Sequence, residues 1–460
     1  MDNQDKQNKM EKIVSWAKRR GFVFPACEIY EGLSGAYTYG PYGVALKNNI
    51  KSLWWRTFVD RREDIYGIDG PILLHPRLWE ASGHVGGFND AMVDCKKCKK
   101  RFRADHIIEE AIGEDLEGDL AKMNEALKKN KVACPNCGKS DWTEARLFNM
   151  MFKTEMNGID GDIYLRPETA GAIFVEFDNV VDTMRPKLPF GIAQIGKAFR
   201  NEILTGNFIF RLREFEQMEI EYFIDPAEPW EGIFDKLLQE QKRFFLSIGV
   251  KEEDIHEREH PKEKLSHYSR KTVDWEFDYP FGTKELCGLA HRGDFDLKSH
   301  TAASGKEIVF RDPYDNKRTL VPHVIEPSFG LDRAFLATVL SAYDEEEAEG
   351  ESRLVMRFPA SVAPVQVAVF PLLKNKEALV EKAREVFSSV KGRYRAEFDD
   401  NGNIGKRYRR QDEIGTPLCI TVDFDSLEKD DVTVRNRDSM LQERVAISEL
   451  ENYLRTRLEK

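Results

Sequence analysis

Phe199-Arg-Asn-Glu202 and, after a short loop, Arg211-Leu-Arg-Glu-Phe-Glu-Gln-Met-Glu-Ile-Glu221 form the stretch whose reading decides the fold of this 460-residue chain. Taken as an extended strand, residues 213–222 sort by alternation. Arg213, Phe215, Gln217, Glu219 and Glu221 fall on one face, and Met218, Ile220 and Tyr222 on the other, with Glu216 as the exception. One face is apolar enough to bury. The other carries charge and one aromatic ring, and such a face of an antiparallel sheet can simply be solvated. Two more strand-like pieces, Arg200/Glu202 and Arg166/Glu168, also alternate charge. Acidic and basic groups converging from several pieces on one sheet face suggest a site for a charged, zwitterionic or phosphorylated ligand.

Around this stretch the chain reads as several units. Residues 11–20 form a short helix stopped by Gly21, and Leu46, Ile50, Leu53, Trp54 and Phe58 recur at helical spacing after Gly43. A long helix is expected over 230–248, with Gly249 as its stop. The run 344–351, DEEEAEGE, reads as an acidic linker. Beyond it, Val365, Val367 and Val369 alternate as a strand, Leu379, Ala383, Val386 and Phe387 mark a helix, and Cys419–Phe424 is another strand. That order implies a βαβ unit. The expected division is 1–94 and 141–356 for a main domain, 95–140 for an insert and 357–460 for a C-terminal domain.

The polar start, MDNQDKQNKM, has no apolar core of a signal peptide, and no apolar run is long enough to cross a bilayer. A cytoplasmic protein with no membrane partner is expected. The net charge of -11 argues mildly against binding nucleic acid. Screening lets local patches decide, and two are visible: Lys96, Lys97, Lys99, Lys100, Arg101 and Arg103, and Lys406, Arg407, Arg409 and Arg410 around Tyr408. A solvated face is the alternative reading of each.

Four of the seven cysteines form two CxxC pairs, Cys95/Cys98 and Cys134/Cys137, separated by 35 residues. Four thiolates suit closed tetrahedral zinc coordination of the structural type. A CxxC can instead be a redox pair, but two of them, the second followed by Gly138, favour zinc.

At the motif level the chain resembles the class II aminoacyl-tRNA synthetases. FRNE with RLREFEQMEIE looks like their motif 2. Glu326-Pro-Ser-Phe-Gly-Leu-Asp-Arg333 looks like motif 3, and Tyr39-Gly-Pro-Tyr-Gly-Val44 with the following helix resembles motif 1, the dimer-forming element. The strings YGPYGVALKN, EASGHVGGF, FNMMFKT, LRPETA, GKAFRNE, NFIFRLREFEQMEIEYF, SHTA, VIEPSFGLDR and GNIGKRYRRQDEIGTP resemble the dimeric glycine-specific type in particular. The match covers essentially the whole chain apart from the cysteine insert.

This resemblance implies an α+β fold: an antiparallel β-sheet catalytic domain flanked by helices, a zinc-ribbon-like insert and a C-terminal α/β anticodon-binding domain. It implies a homodimer that activates glycine with ATP and Mg2+ and transfers it to the 3′ end of tRNA(Gly). Arg200 would meet the α-phosphate and neutralise developing charge. Arg211 and Arg333 would hold the γ-phosphate, Phe215 would stack on adenine, Glu202 would contact the base, and Glu285 would ligate Mg2+. The ATP site would include the surrounding Asn201, Phe210, Leu212, Arg213, Glu214, Leu286, Gly330, Leu331 and Asp332. Glycine's ammonium would be taken by Glu168, Glu219 and Glu326, with Ser328 crowding its Cα. Arg292 and Arg103 would approach the carboxylate or the intermediate's phosphate. The substrate pocket would also draw on Glu216, Gln217, Met218, Pro327, Phe329 and Gly330. Lys406–Arg410 and Val432–Arg437 would offer cations and an aromatic platform for anticodon bases.

One departure from the family pattern is Gly171-Ala172 after LRPETA, where Gln-Gly is usual. Two other readings compete. A catalytically dead relative serving as a nucleic-acid-binding accessory subunit need not keep Arg200, Glu202, Arg211, Glu285 and Arg333, all of which are present. A synthetase for serine, threonine or proline fits the EPS string and the three glutamates less well.

Overall fold

The computed structural model describes residues 3–459 apart from 115, 117, 118, 159, 160, 204, 266–268, 316 and 349. At its centre is a seven-stranded sheet. We label its strands in chain order β1 (Ile65–Gly67), β2 (Phe190–Phe199), β3 (Glu214–Ile224), β4 (Ile255–Glu259), β5 (Lys271–Tyr279), β6 (Gly282–Gly293) and β7 (His323–Gly330). They lie side by side as β4-β5-β6-β7-β3-β2-β1. Every pairing is antiparallel except β1 with β2.

The alternation of β3 decides which way the sheet faces. Met218, Ile220 and Tyr222 enter a large core with helices Pro41–Trp55, Glu231–Ser247 and Leu331–Ala342. Leu46, Ile50 and Trp54 supply the first helix's share, and Phe234, Leu237, Phe244 and Phe245 the second's. The second helix ends where Gly249 takes φ +90, a conformation that suits glycine. Glu216 shares this apolar side, and its charge is answered by Lys47 at 2.7 Å and Lys51 at 3.0 Å from the first helix. The opposite face of the sheet carries Gln217, Glu219 and Glu221. It is closed at one end by Phe177, Phe190, Phe223 and Phe310.

The charge alternation at 166–168 and 200–202 is not that of strands. β2 stops at Phe199, and Arg166 and Glu168 lie in the loop before helix Ala170–Val175. Arg166 is instead buttressing, donating from Nε to Lys197 O at 2.6 Å and from Nη1 to Gly70 O at 2.7 Å. A Cβ at position 196 would come within 2.1 Å of its Nη2, so Gly196 is required there. Gly171 packs against Trp79 and Leu78, where a Cβ would meet ring and methyl carbons at 2.9–3.0 Å. The departure from the family pattern is therefore accommodated by close helix packing.

The cysteine insert has a core of its own under helices Ala104–Ile112 and Leu120–Lys129. Its three-stranded sheet, Arg101–Arg103, Asn89–Asp94 and Arg146–Asn149, draws two strands from outside residues 95–140. The C-terminal unit is a five-stranded sheet in which Val367–Pro371 runs parallel to both Ala396–Phe398 and Leu418–Val422, with helix Glu377–Lys391 as the crossover. All five residues of Val367–Pro371 are buried, because both faces of this strand are covered. The valine alternation there marks a fully buried strand, not a half-exposed one.

Residues 344–351 are not a linker, although Glu349 lies outside the described residues. Tyr343–Ala348 pairs antiparallel with Glu351–Met356. Its acids meet cations: Glu345 meets Lys12 of the N-terminal helix at 2.7 Å, and Asp344 and Glu346 meet Arg357, just past the return strand, at 2.8 and 2.7 Å.

Candidate active site

A cavity of about 320 Å³ opens where β3, β6 and β7 meet the start of helix Leu331–Ala342. Three guanidinium groups line it. Arg200 lies 5.3 Å from the Phe215 ring centre and 5.4 Å from that of Phe88, and donates to Pro167 O at 3.1 Å. Arg211 is paired with Glu202 at 2.9 Å. Arg333 stands 4.5 Å over the Phe210 ring and 3.1 Å from the Glu285 carboxylate. The Arg333 charge holds Glu285 below the usual carboxylate range, although half of that side chain is exposed. Aromatic rings between guanidinium groups make a slot for a flat base with phosphates attached. A larger crevice, about 1650 Å³, lies on the other side of the sheet beside Phe58 and Phe244. It does not contain these groups.

Next to the cavity the polar face of β3 becomes buried and acidic. Glu219 Oε1 accepts from Gln217 Nε2 and Ser328 Oγ, both at 2.8 Å. Its Oε2 accepts from the Thr169 and Ala170 amides at 3.0 and 3.1 Å, and from the Thr169 hydroxyl. Glu326 accepts from Arg292 Nη1 at 3.1 and 3.0 Å, and the rest of the Arg292 fork holds Asp296. Glu168 meets His84 at 3.3 Å. Burial pushes Glu168 up, but the charges of His84, Arg292 and Arg200 outweigh it and bring it down to about 2. Burial dominates at Glu326, and with Glu219 and Glu168 close by it rises to about 7 despite Arg292.

Of the residues singled out in the sequence, the structure brings Arg200, Glu202, Phe210, Arg211, Leu212, Phe215, Gln217, Glu285, Ser328, Gly330 and Arg333 to the cavity. Glu168, Glu219, Arg292 and Glu326 form a buried, largely acidic cluster beside it. Others go elsewhere. Met218, Leu286, Phe329 and Leu331 point their side chains into the core on the opposite side. Glu216 and Asp332 reach the cavity rim, but their carboxylates turn to Lys47. Glu214 is exposed and paired with Lys197. Arg213 braces the backbone at Glu202 and Ser34, and Asn201 uses its amide N–H on Met150 O at 2.7 Å. Pro327 is a β7 residue opposite Leu289. Arg103 is tied to Asp90 at 3.0 Å and to Asp105 within the insert. His84, Phe88 and Thr169 were not singled out. The strings EASGHVGGF and LRPETA contain them, but nothing in their spacing marks a contact.

The two basic patches are largely spent on local partners. Lys96 and Lys97 approach Asp141, Lys100 bonds Asn136, and Arg101 pairs with Asp94. Arg407 is buried on the carbonyls of Pro371, Asp400 and Gly402, while Arg435 is buried on Asp412 and Arg437 on Phe358 O and Gly415 O. Tyr408 bonds Thr421. Most of the expected anticodon platform is thus structural.

Cys95, Cys98, Cys134 and Cys137 place their sulfurs within 4.8 Å of one another, with the closest contacts at 3.6 and 3.7 Å. Four sulfurs each about 2.3 Å from a tetrahedral zinc would lie about 3.8 Å apart, so the cluster is compatible with zinc. The Lys100 N–H beside Cys98 pulls its thiol down to about 6, while at Cys137 the Lys139 N–H is outweighed by burial and the neighbouring sulfurs, which push that thiol up to about 11, so without a cation the four thiols do not all ionise together. Among the described residues no helix is long and apolar enough to cross a membrane.

Two family models match the chain: a tRNA synthetase class II core domain (G, H, P, S and T) over residues 152–349 and an anticodon-binding domain over 366–457. The antiparallel sheet, with its arginine-lined cavity, is that of a class II aminoacyl-tRNA synthetase. The chain is 52% identical over 459 residues to a glycine–tRNA ligase of Geobacillus kaustophilus, covering 98% of this chain and 99% of that one. It is 51% identical over 462 residues to the Lysinibacillus sphaericus glycine–tRNA ligase, with 98% and 99% covered. The Bacillus anthracis protein of the same description is 50% identical over 459 residues, with the same coverage. The chain belongs to the glycine–tRNA ligase family.

Proposed function

We propose that the cavity and its acidic extension are where glycine and ATP react to give glycyl-adenylate and pyrophosphate, before glycine passes to the 3′ end of tRNA(Gly). The observation that carries this reading is the meeting of Arg200, Arg211 and Arg333 on one cavity beside a pocket formed by Glu168, Glu219 and Glu326. The nucleophile is a carboxylate that is already ionised, so the chain needs no general base. Positioning and charge neutralisation carry the step. Arg200 is placed for the α-phosphate and the attacking carboxylate, Arg211 and Arg333 for the outer phosphates, and Phe215 for the adenine face. Glu202 contacts the base from its pairing with Arg211.

Glutamates 168, 219 and 326 draw the ammonium. Ser328, fixed by its bond to Glu219, stands where a substrate side chain would begin. An extra methyl there costs about 1–3 kcal/mol in overpacking. Glu285 at the rim is the carboxylate that would hold Mg2+, which would supply charge neutralisation for the phosphates. A single protein carboxylate suits an ion that keeps waters and phosphate oxygens. Cys95, Cys98, Cys134 and Cys137 would hold a zinc ion that would fix the insert. Assembly as a homodimer through Tyr39–Val44 and its helix, a cytoplasmic location and the domain division at 94, 140 and 356 belong to the same reading.

ATP–pyrophosphate exchange with each of the twenty amino acids tests it. Exchange with glycine alone is expected. Silence with all twenty would return the chain to the accessory-subunit reading, and exchange with serine or threonine would reassign the pocket.

A further inference from the structure

Glu221 is the one carboxyl of this face that the proposed chemistry leaves without a task. It is 0% exposed, and neither oxygen has a hydrogen-bond partner among the described residues. A buried anion in that position is costly, whereas a protonated acid is neutral and carries one O–H to donate.

The register of the sheet sets which acid faces it. Glu219 lies opposite Ser328 and Tyr222 opposite Ile325, which sets Glu221 across from Glu326 on β7. Directly opposed residues have Cβ atoms about 5 Å apart and share a face, and two ionised carboxylates so placed repel. Across β2 the neighbour is Ile192, which offers nothing polar. The remaining charged neighbours are Glu219 on the same strand, Arg292 on β6 and Asp296 on helix Phe295–Ser304. Glu219 already receives a donor set on each oxygen, and Asp296 takes the Arg292 fork on both oxygens at 2.9 Å. Among the described residues Glu326 accepts from Arg292 Nη1 alone, shared between its two oxygens, so its carboxylate has lone pairs left.

We propose that Glu221 is the protonated member of a carboxyl–carboxylate pair with Glu326, and that its O–H positions the Glu326 carboxylate toward the ammonium of glycine. Glu221 is then a positioning residue, and the inference rests on Glu326 being an ammonium ligand. Burial and the facing Glu326 both push Glu221 well above the ordinary carboxyl range, in keeping with a retained proton.

The test compares Glu221→Gln, which keeps a neutral donor, with Glu221→Met, which keeps volume and loses the donor. Glycine KM and ATP KM are measured separately by exchange, alongside the melting temperature. Glu221→Gln is expected within about twofold of the parent. Glu221→Met is expected to raise glycine KM about tenfold, leave ATP KM within about twofold and melt close to the parent, because apolar burial of similar volume offsets the lost carboxyl hydrogen bond. An unchanged glycine KM in Glu221→Met overturns the proposal. So does a fall in melting temperature with both KM values rising together, or a Glu221→Gln defect as large as that of Glu221→Met. Should Glu221→Met fail to fold, infrared difference spectra of parent against Glu221→Gln at pH 8 decide. A protonated-carboxyl C=O band is expected in the parent, and its absence overturns the proposal. A normal glycine KM in Glu326→Gln would instead remove the underlying reading of Glu326.

Discussion

Lys47 Nζ lies 2.8 Å from the Asp332 carboxylate, and the same nitrogen is 2.7 Å from Glu216. The Asp332 carboxylate also accepts from the Tyr39 hydroxyl and from the Glu216 amide at 2.9 Å. Helix Pro41–Trp55, β3 and the start of helix Leu331–Ala342 are thereby joined at one buried ammonium, directly behind the cavity. Burial lowers the pKa of Lys47, but its two carboxylates more than restore it. A raised lysine pKa stabilises the fold at any pH below the unfolded value of 10.5, and that contribution is lost as pH rises beyond it. Lys47→Met leaves the buried Asp332 carboxylate without a cation and Glu216 with Lys51 alone, and is expected to cost about 3–5 kcal/mol in urea unfolding. The double variant Lys47→Met/Glu216→Gln should recover part of that loss. A single variant as stable as the parent would show the junction to be dispensable.

Arg200 touches two aromatic faces and one carbonyl, and no carboxylate pairs with it among the described residues. Its charge is therefore free for the reacting phosphate. Arg200→Lys keeps the charge but loses the planar fork and the ring contacts. The exchange kcat is expected to fall about 10²–10³-fold, as for loss of one preorganised transition-state donor, with the melting temperature little changed. A loss of less than threefold would remove Arg200 from that role.

The sheet was legible in the sequence because β3 alternates over most of its length and each of its faces has one destination. Glu216, which broke the pattern, was the residue whose partners lie far away, on a helix about 170 positions earlier. The same limit hid the hairpin at 343–356, whose acids look like a linker until the return strand brings Arg353 and Arg357 back beside them and Lys12 arrives from the N-terminal helix. The arginines of the site were legible through their strings, yet a string does not say which way a side chain points. Met218 and Phe329 sit within the site strings but face the core, and Arg407, Arg435 and Arg437 look like a nucleic-acid patch but hold the C-terminal sheet together. His84 and Thr169 were invisible because each acts on a glutamate that only the fold brings near.

The carboxyl of Glu326, raised to about 7, gives glycine binding a pH dependence. Only the ionised form attracts an ammonium, so glycine KM should rise about tenfold per unit as pH falls below 7 and flatten above it. Stability runs the other way. The unfolded carboxyl titrates near 4.5, so the stability that Glu326 contributes is complete below that pH and is lost as pH rises through 7. Glycine-dependent exchange from pH 5.5 to 8 checks the first effect. A flat glycine KM across that range, or the same slope in Glu326→Gln, would assign the titration to another group.

Asp412 is 1% exposed and receives Arg353 at 2.9 Å and Arg435 at 2.9 and 3.2 Å. Arg353 comes from the hairpin strand Glu351–Met356 and is itself fully buried, so this carboxylate joins the hairpin to the C-terminal sheet. Asp412→Ala leaves two buried guanidinium groups with no shared anion and is expected to cost about 3–5 kcal/mol. Glycine-dependent exchange should persist in the fraction that folds, since Asp412 is remote from the cavity lining. Denaturant unfolding followed by exchange at low denaturant separates the two effects.

The four-cysteine cluster makes its own prediction. Cys95 and Cys134 are buried in the insert core beside Trp142, whereas Cys98 and Cys137 lie at its edge. That core is small, so a metal bond contributes directly to its folding. The purified protein should carry about one zinc per chain, and Cys95→Ser or Cys134→Ser should lose it. Protease sensitivity should then rise within residues 95–140, while the sheet β1–β7, whose core is separate, keeps its melting transition. Zinc retained at full occupancy in both variants, or a cluster isolated as two disulfides, would end the metal assignment and return the pairs to redox chemistry.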